Sequence, residues 1–154
     1  MKPPRSVLSY ALTLLGRRDY SLWELVRKLE GKGYSRDEID EAVARLREWN
    51  YLDDQRYLRR QIEKHLAEKK SRIYIRRRLC LAGLEPRLIE EGLNHFYPPE
   101  REAEIVRFWW DKYFASKIRS PQEKREVIKW ARRLSAAGFP AEEIRPYLDC
   151  NKES

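Results

Sequence analysis

One spacing pattern occurs three times in this chain and constrains its fold more than any other feature. Leu29, Gly33, Tyr34, Ile39 and Val43 are matched 50 residues on by Leu79, Gly83, Leu84, Ile89 and Leu93. They are matched 55 residues further by Leu134, Gly138, Phe139, Ile144 and Leu148. A repeat of that length marks supersecondary units, none of which buries its apolar face alone and which therefore stack. The expected architecture is all-α: three tandem three-helix, helix-turn-helix-like repeats stacked into an elongated, curved molecule. Such stacks present a shaped surface to another macromolecule, which points away from a pocket enzyme.

Local signals place the helices. Apolar residues recur at three- and four-residue spacing, and no period-two strand pattern stands out. Leu8, Leu12 and Leu15 line an opening helix that ends near Gly16. Ser21-Leu22-Trp23-Glu24 and Ser35-Arg36-Asp37-Glu38 are capping boxes, in which the Ser hydroxyl and the Glu carboxylate each satisfy an orphan backbone N–H. Gly33 ends the helix between them, because the left-handed residue after a helix costs least as glycine. Asp53 and Ser71 are expected to cap the next two helices, and Pro86 suits the first turn of the one after. Pro98-Pro99 breaks the chain, and Ser120-Pro121-Gln122-Glu123 reads as a further capping box that opens a longer helix. The repeats then span 1–52, 53–98 and 99–150, with a final helix from about 141 to 148 and a frayed tail at 151–154.

Net charge is +8, and its location matters more than its size. The segment 55–78 holds ten basic residues, Arg56, Arg59, Arg60, Lys64, Lys69, Lys70, Arg72, Arg76, Arg77 and Arg78, against two acids, Glu63 and Glu68. The rest of the chain is electrically balanced, so the whole excess sits in the first half of the middle repeat. A concentrated positive field attracts polyanions by steering and by counterion release. Leu58, Ile62 and Leu66 share one helix arc of about 80° while Arg56, Arg60 and Lys64 run along another. In Arg76-Arg77-Arg78 consecutive residues cannot share a face, so at least one stem must cross apolar surface. These ten residues are the expected contact set for an anionic partner, nucleic acid or acidic protein.

Other signals weigh less. A helix-turn-helix reading makes a DNA-binding transcriptional or nucleoid protein the alternative function. A groove-reading helix should present Arg, Lys, Asn or Gln to base edges. The third helices instead carry Asp37, Glu38, Asp40, Glu41 and Glu48, then Glu85, Glu90 and Glu91, then Glu142 and Glu143. Phe108, Trp109, Trp110, Tyr113 and Phe114 cover roughly two thirds of a helix circumference, wider than a core stripe. That width fits a helix sandwiched between neighbours, or an exposed anchor at Phe108 or Trp110. Few basic residues flank these rings, which disfavours base stacking. His65 and His95 have no partners at metal-ligand spacing, and no phosphate loop or nucleophile motif is present, so no enzyme, metal or cofactor is expected. Asp53-Asp54 is read as helix capping rather than a magnesium site. Two isolated cysteines, Cys80 and Cys150, do not make a disulfide framework. No apolar run reaches the ~18 residues of a membrane span, and Met1-Lys2-Pro3-Pro4-Arg5 opens no secretory signal. A monomer in the cytoplasm is the expected state.

The chain resembles the RecX family, bacterial regulators of the RecA recombinase. The resemblance rests on Ala11-Leu12-x-Leu14-Leu15-x-Arg17-Arg18-Asp19-x-Ser21, Glu24-Leu25-x-x-Lys28-Leu29 and Lys32-Gly33-Tyr34-Ser35. It continues through Leu46-x5-Leu52-Asp53-Asp54-x-Arg56-Tyr57, Ile75-x3-Leu79-x3-Gly83 and Arg133-Leu134-x3-Gly138-Phe139, covering nearly the whole chain. It implies tandem three-helix units without chemistry of their own, binding in the groove of the RecA–DNA filament. Such a protein opposes filament growth and RecA's ATP-dependent activities; weak contact with single- and double-stranded DNA without sequence preference is what the basic band itself leads one to expect. No family contact motif carries over, so the basic band remains a reading of the residues themselves.

Overall fold

The computed structural model describes residues 5–114 and 122–149, and among them the ordered elements are nine α-helices with no strand. They are α1 (Val7–Leu15), α2 (Leu22–Gly31), α3 (Arg36–Glu48), α4 (Asp54–Ala67), α5 (Arg72–Leu81), α6 (Pro86–Phe96), α7 (Glu100–Phe114), α8 (Gln122–Ala136) and α9 (Ala141–Asp149). The helix ends follow from local chemistry. Both capping boxes form, at Ser21 with Glu24 and at Ser35 with Glu38. The Asp53 carboxylate accepts from the N–H groups of Gln55 and Arg56, at 2.9 and 3.2 Å, and Ser71 Oγ accepts from Tyr74 N–H at 3.2 Å. Pro86 is the first residue of α6, where its missing N–H is no loss. The box at Ser120–Glu123 lies outside the described residues.

The repeated Leu–Gly–apolar pattern is a helix-termination device. Tyr34 N–H bonds to Leu29 C=O and Gly33 N–H to Glu30 C=O, the paired bonds of a Schellman end. Leu84 with Leu79 and Gly83 with Cys80 repeat it, as do Phe139 with Leu134 and Gly138 with Ser135. Gly33, Gly83 and Gly138 take φ of 95°, 73° and 92°. The buried leucine and the apolar residue after glycine are the side-chain pair that accompanies this cap, which is why all three recur together. Two more helices end with the same bonds on a residue other than glycine: Asn50 at φ 57° and Lys69 at φ 59°. Asparagine tolerates that region. Lysine does so at a cost of about 1–2 kcal/mol.

By packing, the chain forms two compact units, one of Met1–Gln61 with Arg78–Glu90, the other of Ile62–Arg77 with Glu91–Ser154. Helices α4, α5 and α6 each contribute to both. In the first unit, Ala11, Leu14, Tyr20, Leu25, Leu29, Tyr34, Ile39, Val43, Leu46 and Leu52 form one buried cluster, with α1, α2 and α3 in mutual contact. Fully buried side chains such as Leu25 and Leu29 each contribute on the order of 1.5–3 kcal/mol. In the second unit α9 packs on α7 and α8, burying Ile105, Val106, Val127, Leu134 and Ile144. Trp110 sits in a ring cluster with Phe114, Trp130 and Tyr147, at centroid separations of 4.5, 5.1 and 4.8 Å. The aromatic run is therefore divided: Phe114 is core, Trp109 and Trp110 are half-buried, and Phe108 and Tyr113 are exposed.

Each unit holds its helices with the same three-part joint. Ser21, already the cap of α2, donates its buried hydroxyl to Ala82 C=O at the end of α5. Leu22 N–H, the first of α2, donates to Asp54 Oδ1 at 2.9 Å, and the Trp23 side chain lies over Gly83 so closely that a Cβ there would collide with it. In the second unit Ser71 Oγ donates to Ala137 C=O at 2.6 Å and Arg72 N–H donates to Glu102 Oε1 at 3.0 Å. There Ile73 and Ser71 crowd Gly138. Asp53 and Asp54 are thus both engaged with backbone N–H groups.

Candidate nucleic-acid interface

The ten cations of segment 55–78 arise from α4, the α4–α5 corner and α5, and the fold gives them different tasks. Arg56, Arg59, Arg60 and Arg78 belong to the first unit, and Lys64, Lys69, Lys70, Arg72, Arg76 and Arg77 to the second. Some are engaged internally. Arg56 donates to Asn50 C=O at 2.7 Å, and Arg60 pairs with Asp19 at 3.0 Å, an exposed bridge worth less than about 1 kcal/mol. Arg72 is turned inward. Its guanidinium donates to Leu93 C=O at 3.3 Å, to Tyr97 C=O at 2.8 Å and to the Asn94 side chain, closing the end of α6.

Arg76 is half-buried, as expected where three consecutive arginines follow a helix, and its charge acts on Glu102. Burial outweighs the hydrogen bond from Arg72 N–H and the nearby cations, so Glu102 is held above the usual carboxylate range. Arg59, Lys64, Arg77 and Arg78 are exposed.

Lys69 and Lys70 form the corner itself. The left-handed backbone of Lys69 is held in place by a bond from Trp109 Nε1–H to its carbonyl at 3.2 Å. Tyr97 O–H donates to Lys70 C=O at 3.1 Å, and burial with the nearby Glu102 charge pushes that phenol far above its ordinary value. The ammonium groups sit over rings, Lys69 at 5.1 Å from the Phe108 centroid and Lys70 at 5.0 Å from that of Tyr74. Beneath the corner His65 is buried, its Nδ1 3.0 Å from Glu68 Oε2 and its ring edge-on to Tyr74.

The Leu-Asp-Asp-x-Arg-Tyr segment reads as a structural clamp of the first unit. Leu52 is buried, Asp53 caps α4, Asp54 holds α2, and Arg56 closes the Asn50 turn. Tyr57 O–H points to Glu24 Oε2 at 3.4 Å, and burial together with that carboxylate raises its pKa to about 12. Glu24 also bonds Ser21 N–H and pairs with Arg18 at 3.2 Å. Among the described residues no group of three or more His, Cys, Asp or Glu is arranged to hold a metal ion.

Sequence reasoning passed over Arg133 and Tyr74, which the fold carries to the Lys69–Lys70 corner from α8 and α5. Tyr74 lies only four residues from Lys70, but no spacing signal links Arg133 to the corner, since it lies more than sixty residues from either lysine. Residues 8–46 match the family model of the first three-helix domain of RecX. Regulatory protein RecX of Caldanaerobacter subterraneus subsp. tengcongensis is 32% identical over 145 residues, 92% of this chain and 68% of that one. The Vibrio vulnificus protein of the same name is 32% identical over 143 residues, 93% and 91% of the two chains. Among solved structures, one titled regulatory protein RecX matches with a TM-score of 0.74 at 23% identity, over 93% of this chain and 71% of that chain. RecX from Lactobacillus salivarius matches with a TM-score of 0.71 at 18% identity, over 94% and 95%. The structural matches speak to the fold, and the sequence relatives carry the kinship: this chain belongs to the RecX family of regulatory proteins.

Proposed function

We propose that this protein modulates RecA by lying in the groove of the RecA–DNA filament, opposing filament growth and ATP-dependent activities. The observation that carries the reading is the gathering of the entire net charge into α4, the α4–α5 corner and α5 of a RecX-family chain. DNA phosphates and acidic protein surface are the groups such a band would meet. Arg59, Arg60, Lys64, Arg77 and Arg78 are its exposed members, with Lys69 and Lys70 at the corner. Arg56 and Arg72 donate to main-chain carbonyls and serve mainly to hold the fold. The protein acts as a monomer in the cytoplasm, and among the described residues no helix is long and apolar enough to cross a membrane. Sequence-specific groove reading is disfavoured by the exposed Asp37, Asp40, Glu41 and Glu48 of α3, which phosphates would repel.

The test is RecA's ATP hydrolysis on single-stranded DNA with this protein titrated in. Inhibition at or below equimolar protein is expected. Exchanging Arg77 and Arg78 for Glu should raise the required dose about tenfold, since like charge weakens both steering and contact. Hydrolysis unchanged at every dose up to equimolar would end the proposal.

A further inference from the structure

We propose that the second unit also holds a seat for one unpaired nucleobase of a nucleic-acid strand, in the cavity formed by the α4–α5 corner, α7 and α8. The cavity has a volume of about 380 Å³, and Tyr74, Trp109, Tyr113 and Trp130 supply its aromatic walls. Lys69, Lys70 and Arg133 are its cations, and no carboxylate is among the described residues that line it. In sequence few basic residues flank the α7 rings. The fold supplies them, from the corner on one side and α8 on the other.

The walls are tied down before any ligand arrives. Trp109 is anchored by its bond to Lys69 C=O, and Arg133 reaches Tyr113 Oη at 3.4 Å. Tyr113 is 47% exposed, so its ring is open to a stacking partner. Trp130 is 3% exposed and forms the floor of the cavity rather than a stacking face. A nucleobase combines the properties this cavity selects for. It has a flat π face for the tyrosines and Trp109, and a phosphate one sugar away for the lysines and Arg133.

This inference shares Lys69 and Lys70 with the filament reading but requires no RecA. The test follows tryptophan fluorescence of the whole protein against a short thymidine oligonucleotide, and against an abasic strand of equal length. The base-bearing strand should quench the fluorescence and bind about tenfold tighter than the abasic one, the scale of one base–aromatic stack. Tyr113→Ala should abolish that preference without changing abasic affinity, and Tyr113→Phe, which keeps the ring, should restore it. Arg133→Gln should weaken both strands and reduce the slope of log K against log salt by about 0.7.

Equal affinity for the two strands, or a base preference that survives Tyr113→Ala, overturns the seat. The RecA assay separates the two readings. Loss of base preference with RecA still inhibited removes the seat alone, and base preference without any effect on RecA removes the filament reading alone.

Discussion

The joint of the first unit and the joint of the second share a backbone plan but differ in what surrounds it. Both use a serine that caps one helix and bonds the last carbonyl of another, an acid on the first free N–H, and a glycine beneath a side chain. Around the first lies a polar cluster in which Arg18, Ser21 N–H and Tyr57 all converge on Glu24 Oε2. Around the second lie aromatic rings and a cavity. The same attachment device therefore serves a structural end in one unit and leaves room for a ligand in the other.

The sharpest way to break this parallel is at the glycines. Gly83→Ala forces a side chain into left-handed backbone and against Trp23, and should cost about 2–4 kcal/mol in urea unfolding. Gly138→Ala meets Ser71 Oγ at 2.9 Å and Ile73 Cβ at 3.1 Å, looser contacts that should cost about 1–3 kcal/mol. A reversed order would mean that the two joints are not built alike. Next come the serines. Ser21→Ala and Ser71→Ala each lose a cap and orphan a carbonyl, so each should cost about 2 kcal/mol in the same measurement. Clearly unequal losses would break the correspondence.

The polar cluster of the first joint has its own titration. Tyr57 has a folded pKa of about 12, above its ordinary value of 10.0, so the folded state keeps a proton that the unfolded state releases. Its contribution is complete below pH 10 and lost as pH rises through about 12. Phenol absorbance should show a late-titrating tyrosine, and Tyr57→Phe should flatten the fall of stability across that window. The smallest effect is at the corner. Lys69→Gly relieves left-handed strain and should stabilise the protein by about 0.5–1 kcal/mol, net of glycine's extra freedom when unfolded. It should nonetheless weaken oligonucleotide binding. Stabilisation with unchanged binding would deny Lys69 a part in either contact.

How far the sequence was legible follows the reach of each interaction. The capping boxes at Ser21 and Ser35 and the cap at Asp53 are made within three residues, and the residues name themselves. The terminating glycines are equally local. Ser21 and Ser71 were read as caps, but their second bonds run to carbonyls 61 and 66 residues away, beyond any window of periodicity. The charge excess of 55–78 is plain as a count, yet the count does not tell Arg72, which serves three acceptors in and just past α6, from exposed Arg77. The width of the α7 aromatic arc leaves open a sandwiched helix or an exposed anchor at Phe108 or Trp110; the fold exposes Phe108 and Tyr113 and half-buries Trp110. Few basic residues flank the α7 rings in sequence, and the cavity cations Lys69, Lys70 and Arg133 are remote from them in the chain.

In both joints the acceptors at Ala82 and Ala137 and the donors at Leu22 and Arg72 are main-chain groups, which every residue except proline supplies in full. Drift at those four positions can rewrite the letters while the attachment persists. Solved folds that superpose at TM-scores of 0.74 and 0.71 with only 23% and 18% identity are what such tolerance produces. A fold held this way stays recognisable in its geometry while the letters at those positions change.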